Sequence, residues 1–383
     1  MSQYRYLSSD LISGEVKGDY LPLTTDSFGR VINGTGTFTG ALNLTAGSAA
    51  EARTWRDAVE GASSVLWCFV GGVPVWNGIA WDQPHQSALD GTLPVTATTM
   101  ESLFGHRYIL DDLVFTDQDV FAIFRSLAVY ALGKQNGGVA GLNLGTNAAG
   151  VTDTITYAGA DEQQVLTAWT DLTAQYGFEF AFRPGIDASG NLATFLDLGF
   201  PQLGLQYPGS GLAYSFPGNL LDYAWPRTRS SGGNAVLGSA PNPASADGSN
   251  WTSQYPHGYD LNDLAAGFPL LEYPSTLSTS AVTSQGQVDA YADGVLPSVT
   301  GTMLTPLLTL GNDQGPAVAD IVLGSWAQVA LTSPLHPAND DGSPGWQGQG
   351  RIIGWTVYPP QSDTQAEHTE LQCWMPDESS SGG

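Results

Sequence analysis

Basic residues are what this chain of 383 residues has least of. Twelve Lys and Arg stand against 37 Asp and Glu, a formal net charge of −25. Lysine occurs only as Lys17 and Lys134. A surface of this sign repels nucleic-acid phosphates and anionic lipid, which argues against a groove that grips DNA. Charge of either sign is sparse, at 13% of residues against about 25% in ordinary soluble domains. Cysteine is limited to Cys68 and Cys373, too few for a disulfide framework or a Cys-based zinc site. The two could form one bridge; the favoured reading is two free, buried thiols acting as small apolar side chains. No run of about 18 apolar residues exists, and the opening MSQYRYLSSD has no apolar signal core. The expectation is a chain made in the cytosol that stays soluble, with no membrane segment.

Local catalytic patterns are missing as well. The chain has no G-x-S-x-G, H-E-x-x-H, C-x-x-C or P-loop spacing. His85, His106, His257, His336 and His368 each lack a second histidine within helical reach, so no nucleophile–base pair or open metal site is assembled locally. Weaker candidates remain. His257-Gly258-Tyr259-Asp260-Leu261-Asn262-Asp263 could offer oxygen ligands to a calcium ion near Asp260, and its bland reading is a loop held by Asx turns. Asn339-Asp340-Asp341-Gly342-Ser343 reads as a turn. A glycosidase carboxylate pair is assembled in space and leaves no sequence trace. Eleven tryptophans could line a sugar-binding surface, but Trp67, Trp169, Trp326 and Trp355 sit within apolar periodic runs, which points to core or subunit interface. No catalytic, cofactor-binding or metal residue is assigned, and no cofactor is expected.

What is present speaks for strands and turns. The 47 glycines and 23 prolines lie well above the roughly 12% of average chains and are spread between short apolar runs. Tyr4-Arg5-Tyr6-Leu7 opens a strand, and Thr37 to Leu44 alternates with period two. Val65 to Val70, Gly71-Gly72 and Val73-Pro74-Val75-Trp76 form a hairpin signature, because a two-residue turn needs positive φ at its centre. Helical spacing predicts helices over 49–60, 117–133 (capped by Thr116, stopped by Gly133), 162–176 (stopped by Gly177) and 283–293. Strands are expected at 178–183 and 193–198 around a turn, and later at 303–310, 321–331, 351–358 and 369–374. Residues 226–268, rich in Gly, Ser, Pro and Asn, read as long loops. There is no solenoid repeat.

The opening Tyr6-Leu7-Ser8-Ser9-Asp10-Leu11-Ile12-Ser13-Gly14-Glu15, then Leu21-Pro22-Leu23 and Ser27-Phe28-Gly29-Arg30-Val31-Ile32-Asn33-Gly34-Thr35-Gly36-Thr37-Phe38, resemble the start of minor tail proteins of siphophages that infect actinobacteria. Gly72 to Trp81, Glu101 to Ile109, Asn234-Ala235-Val236, Pro269-Leu270-Leu271-Glu272 and Gly350-Arg351-Ile352-Ile353-Gly354 continue the likeness in order. It departs at Leu323-Gly324-Ser325-Trp326, where relatives have Gly-Asp before an apolar strand. The resemblance implies a tail hub: a mainly β fold with an α+β insertion, built on two tube-forming β-barrel modules. On this sequence the first module covers 1–115 and is completed by about 200–225. The inserted α+β domain covers 116–199, a loop-rich connection 226–269, the second module 270–376 and a disordered tail 377–383. The resemblance further implies a homotrimeric ring at the virion tail tip; since edge strands must be paired or covered, Val73 to Trp81 is one place where copies could pair. The ring would adapt the six-fold tube to a three-fold tip and let DNA pass without specific binding. Its partners would be the distal tail protein, the tape-measure protein and other tail-tip or receptor-binding proteins. A carbohydrate-binding receptor module and a cell-wall-degrading tail enzyme are the competing readings.

Overall fold

The computed structural model describes all residues except 1–3, 83–90, 229–231, 243–248, 278–281, 283, 301–302, 305, 312–314, 361–365 and 376–383. The expected disordered tail and His85 therefore lie outside the described residues. The first third forms β1 (Tyr4–Asp10), β2 (Val16–Gly18), β3 (Leu23–Val31), β4 (Thr37–Asn43), α1 (Ala49–Ala58), β5 (Ser64–Val70), β6 (Val73–Ala80) and β7 (Thr92–Thr98). A capping box between Ser48 and Glu51 starts α1. Gly71 and Gly72 both adopt positive φ in the β5–β6 turn, as the hairpin signature requires.

The middle of the chain contributes β8 (Leu113–Asp119), α2 (Val120–Leu132), β9 (Leu142–Asn143), β10 (Thr152–Tyr157), α3 (Val165–Tyr176), β11 (Glu179–Ile186) and β12 (Leu192–Gly199). The cap of α2 is Asp119, not Thr116: its carboxylate accepts from Phe121 N and also from Ala149 N and Gly150 N. Thr116 belongs to β8, which runs straight into the helix. Phe121, Phe124, Leu127, Ala128 and Ala131 are buried along one stripe of α2. Trp169 of α3 stacks on Phe124 with centroids 4.2 Å apart and donates its indole N–H to Phe124 O at 3.0 Å. Gly177 ends α3 in the left-handed conformation.

The remainder supplies β13 (Ala213–Phe216), β14 (Leu220–Ala224), β15 (Arg227–Thr228), β16 (Ala235–Ala240), β17 (Trp251–Thr252), α4 (Leu261–Ala265), β18 (Glu272–Thr276), α5 (Gln285–Val299), β19 (Met303–Leu304), β20 (Leu307–Gly311), β21 (Trp326–Leu331), β22 (Trp346–Tyr358) and β23 (His368–Trp374). The stretch read as loops is partly ordered. β16 pairs with β17 and β18, and α5 covers them through Val288, Tyr291 and Ala292. Short strands punctuated by proline and serine escape a periodicity reading. Strand β21 starts later than expected, because Ile321 to Ser325 forms a turn around Gly324, whose φ is +84°.

The fold is mainly β with an α+β insertion. Thirteen strands join in one sheet, β14-β20-β23-β22-β3-β4-β7-β6-β5-β1-β2, with β21 beside β22 and β13 beside β21. The two expected modules are therefore fused. Strand β22 makes the join: its first half pairs with β21 from Trp346 to Arg351, and Gly354 to Val357 pair with Val31 to Phe28 of β3. The approach is close, since a Cβ on Gly29 would lie 2.6 Å from Trp355 O. The sequence places 200–225 with the first module, but β13 and β14 hydrogen-bond to β21 and β20 in the last third. The order β13-β21-β22-β23-β20-β14 almost returns to its start. Among the described residues no ladder closes the seam; Asn219, in the turn between β13 and β14, donates to Ala213 O and accepts from Ser215 N.

Two large cores share the sheet. Strand β5 is buried at every residue. Leu66, Cys68 and Val70 enter the core that runs from Phe28, Phe38 and Trp76 to Val329, Ile352, Trp355 and Leu371. Val65, Trp67 and Phe69 face the other way, onto α2, α3 and β11. Each such side chain contributes about 1.5–3 kcal/mol on burial, and together they hold the insertion against the sheet.

Candidate functional site

Strand β11 meets the main sheet edge-on, and polar side chains stitch the contact. Its ladder partner β12 occupies one edge. Along the other, Asn33 acts as a short strand: its N–H donates to Phe180 O at 3.0 Å and its Oδ1 accepts from Phe180 N at 2.8 Å. Two residues on, Arg30 Nη2 donates to Phe182 O at 2.6 Å, and Phe182 N donates to Glu101 Oε1 at 3.2 Å. Glu179 begins the strand by receiving both guanidinium nitrogens of Arg351, with Nη1 at 2.7 Å. Leu203 N donates to Glu179 Oε2 and Arg351 Nε to Gly324 O. The pattern fixes the insertion against both halves of the sheet, since Arg30 and Asn33 come from the first and Arg351 from the last third.

Burial sets the electrostatics here. It raises the Glu101 carboxyl above its ordinary range, with hydrogen bonds from Thr99 and Phe182 N opposing. It also pulls the Arg30 guanidinium down to about 10, with the Glu101 and Asp197 carboxylates opposing. Asp197 itself is taken by Arg183, through Nε at 2.8 Å. Among the described residues, Arg30 has no carboxylate within ion-pair distance. Beside Arg30 opens a cleft of about 510 Å³ between the start of β6, β11, the segment after β12 and the turn before β21. Its walls are mostly apolar, Val75, Ala181, Leu323 and Trp355 inside with Val73, Leu205 and Val322 at the rim, and the Arg183–Asp197 ion pair lines it beside Arg30. These three rim residues are 50%, 55% and 49% exposed. Val75 to Ala80 of β6 are buried within the chain, which leaves exposed Val73 and the half-buried Pro74 and Trp81 as the parts of the 73–81 segment open to a neighbour.

None of these seam residues was singled out as a site from sequence. The available signal was a lone charge inside an apolar strand, as Glu179 between Phe178 and Phe180 and Arg351 before Ile352-Ile353. The residues that were singled out lie elsewhere. Asp260 caps α4, accepting from Asn262 N and Asp263 N at 3.0 Å, and His257 Nδ1 sits 2.8 Å from Asp293 Oδ2. Asn339 to Ser343 is a turn closed by Gly342 N to Asn339 O and Asn339 N to Ser343 O. Among the described residues no group of three or more His, Cys, Asp or Glu is placed to hold a metal, and no helix is long and apolar enough to cross a membrane. His106 packs on Trp81 and His368 stacks on Tyr358. His336 Nδ1 meets the Tyr223 hydroxyl at 2.8 Å; that phenol lies between the imidazole and Ser333 Oγ, which itself caps a turn by accepting from Leu335 N and His336 N. Trp67, Trp169 and Trp355 are core, Trp326 is half-buried, and of the eleven tryptophans only Trp374 is exposed. Trp374 meets Trp326 at 88°, edge to face, a geometry that offers no flat platform to a sugar ring. Cys68 and Cys373 are free and buried.

The sequence matches no family profile and no curated protein. Solved structures do share the fold over nearly the whole chain. The 43 kDa tail protein of prophage MuSo2 from Shewanella oneidensis is 11% identical, with 98% of each chain covered and a TM-score of 0.55. A tail protein from Neisseria meningitidis is 11% identical, covering 97% of this chain and 96% of its own, with a TM-score of 0.53. A prophage tail protein from Listeria monocytogenes is 11% identical, covering 96% and 94%, with a TM-score of 0.51. At this identity the likeness is one of architecture: the chain has the fold of phage tail proteins from end to end.

Proposed function

We propose that the chain is a structural protein of a bacteriophage tail, acting at the tail tip as the hub. The observation that carries this reading is the end-to-end likeness to phage tail proteins, insertion included. The thirteen-stranded sheet supports it, because strands paired into one sheet leave few open edges in a wall. In this reading three copies close a ring that adapts the six-fold tube to a three-fold tip. The ring contacts the distal tail protein, the tape-measure protein and receptor-binding or other tip proteins, and is assembled in the host cytoplasm. A siphophage of actinobacteria as its source rests on the sequence resemblance alone. The hub has no enzymatic activity. DNA passes through without being gripped: the chain carries −25, and DNA bears one negative charge per ~1.7 Å of axis. Its two lysines are tied to protein groups, Lys17 to Ser63, Ser64 and Asp10, and Lys134 to Tyr108 O.

Cryo-electron microscopy of intact tails tests the reading. Three copies at the end of the tube, around an acidic channel, are expected. Absence from the virion, a six-fold position along the tube, or turnover of peptidoglycan, arabinogalactan or ester substrates that one carboxylate substitution abolishes would overturn it.

A further inference from the structure

The cleft beside Arg30 has a counterpart elsewhere on the same molecule. Strand β14 pairs with β20 on one side, and among the described residues no ladder joins it to β13 on the other. Its register slips between Leu220 and Asp222, so Leu221 bulges out of the ladder. Leu221 is 50% exposed and Asp222 beside it is also exposed. The Asp222 carboxylate accepts only from Tyr223 N, at 2.8 Å, and has no cation among the described residues. One surface is thus an apolar knob with an adjoining carboxylate. The other is a mostly apolar hole, lined also by the Arg183–Asp197 pair, with an adjoining guanidinium that donates to Phe182 O and has no carboxylate of its own within ion-pair distance among the described residues.

We propose that these two surfaces meet between copies of this chain, Leu221 of one copy seated against Val73, Leu205 and Val322 of the next and Asp222 facing its Arg30. Resting on the ring reading above, the inference names the contact that would close the ring. Three observations favour a second copy as the occupant. With 37 acidic residues against 12 basic ones, identical subunits repel one another, and a contact that gives an unpaired arginine a carboxylate offsets that repulsion where the chains touch. Val73, Leu205 and Val322 each stay about half exposed where they line the cleft mouth, an apolar rim of the kind that a folded surface covers. Finally, the knob and the hole share no residue, as a head-to-tail contact requires, and such contacts generate rings when the rotation closes.

Disulfide trapping tests the contact, because a bridge forms only where Cα atoms come within about 4.4–6.8 Å. Full-length Leu221→Cys and Val322→Cys proteins are purified separately, mixed and oxidised; the native thiols are buried. A linked dimer is expected from the mixture, weak or absent from either protein alone. It should also be absent when Leu221→Cys is mixed with Val129→Cys, an exposed position on α2. Adding Asp222→Arg, a surface change, should abolish the dimer, and Arg30→Glu in the partner should restore it once circular dichroism shows that variant folded. Light scattering separates the two levels of inference. Higher-order species without the mixed disulfide mean that copies assemble through another surface: the contact is wrong and the ring reading stands. A chain that stays monomeric at every attainable concentration also overturns the contact, and copy number in imaged tails then decides the ring reading independently.

Discussion

Removing the carboxylate of Glu179 should loosen the insertion from the sheet. The Glu179 and Arg351 side chains retain only 17% and 9% of their exposure, and the pair is bidentate. Glu179 also accepts from Leu203 N, so one residue holds the start of β11, the end of the insertion and strand β22. In Glu179→Leu the guanidinium keeps Gly324 O and Leu203 O as acceptors but loses its counter-charge. Breaking a buried pair from one side costs about 3–5 kcal/mol, mostly for the stranded charge. The two remaining carbonyl acceptors put the expected loss at the lower end, about 3 kcal/mol. Glu179→Gln keeps an acceptor for Leu203 N and should lose less. The double variant Glu179→Leu/Arg351→Met leaves no buried charge and should recover much of the single-variant loss. Guanidinium denaturation followed by circular dichroism measures all three together with the single Arg351→Met, with limited proteolysis reporting whether the insertion is released first. A loss below about 1 kcal/mol in Glu179→Leu, or a double variant that loses the sum of the singles, would refute the reasoning.

Gly29→Ala places a Cβ 2.6 Å from Trp355 O and should destabilise the β3–β22 join by about 1–3 kcal/mol; an unchanged denaturation midpoint would count against the fusion of the two modules. Burial raises the Cys68 thiol well above its ordinary value and pushes Cys373 up to about 12. Both should react with a disulfide reagent only after denaturation, and a single oxidised pair would contradict the structure. The hydrogen bond that His257 Nδ1 donates to the Asp293 carboxylate raises His257 above its ordinary value. The tether from His257 to α5 is then fully present below the ordinary histidine value and is lost as pH rises through the raised one. NMR titration should show Asp293→Asn returning His257 toward its ordinary value; no change would remove Asp293 as the cause.

Local order was legible wherever one face of an element met one core. The stripe on α2, the stop at Gly177 and the Gly71-Gly72 turn need only neighbouring residues to specify them, and they stand where periodicity puts them. Strand β5 shows the first limit. Its unbroken run Ser64 to Val70 reads as one apolar strand, yet its two faces serve different cores, and nothing within seven residues says which residue belongs to which. Segments 235–240 and 272–276 show the second limit. Their parallel pairing spans more than thirty residues, and Gly238 and Pro274 blur the alternation that would have marked them.

The seam lay beyond reach for a further reason. Asn33, Arg30, Glu101, Glu179 and Arg351 are spread over more than three hundred residues. Each looks ordinary alone: a turn asparagine, a strand arginine, an acid beside aromatics. They become a unit because β11 presents a bare edge, and every N–H and C=O on a buried edge must find a partner. Phe180 and Phe182 have their side chains committed to the helical core, so their main-chain groups point at whatever the sheet offers. What it offers is side chains rather than another strand. A strand there would have extended the sheet into the insertion. Side chains let the insertion sit against both halves at once, and the gap they leave on one side of Arg30 is the cleft. The hole proposed to receive Leu221 and Asp222 is thus a consequence of how the insertion is held, which predicts that substitutions weakening the seam will weaken assembly even where they touch neither contact surface.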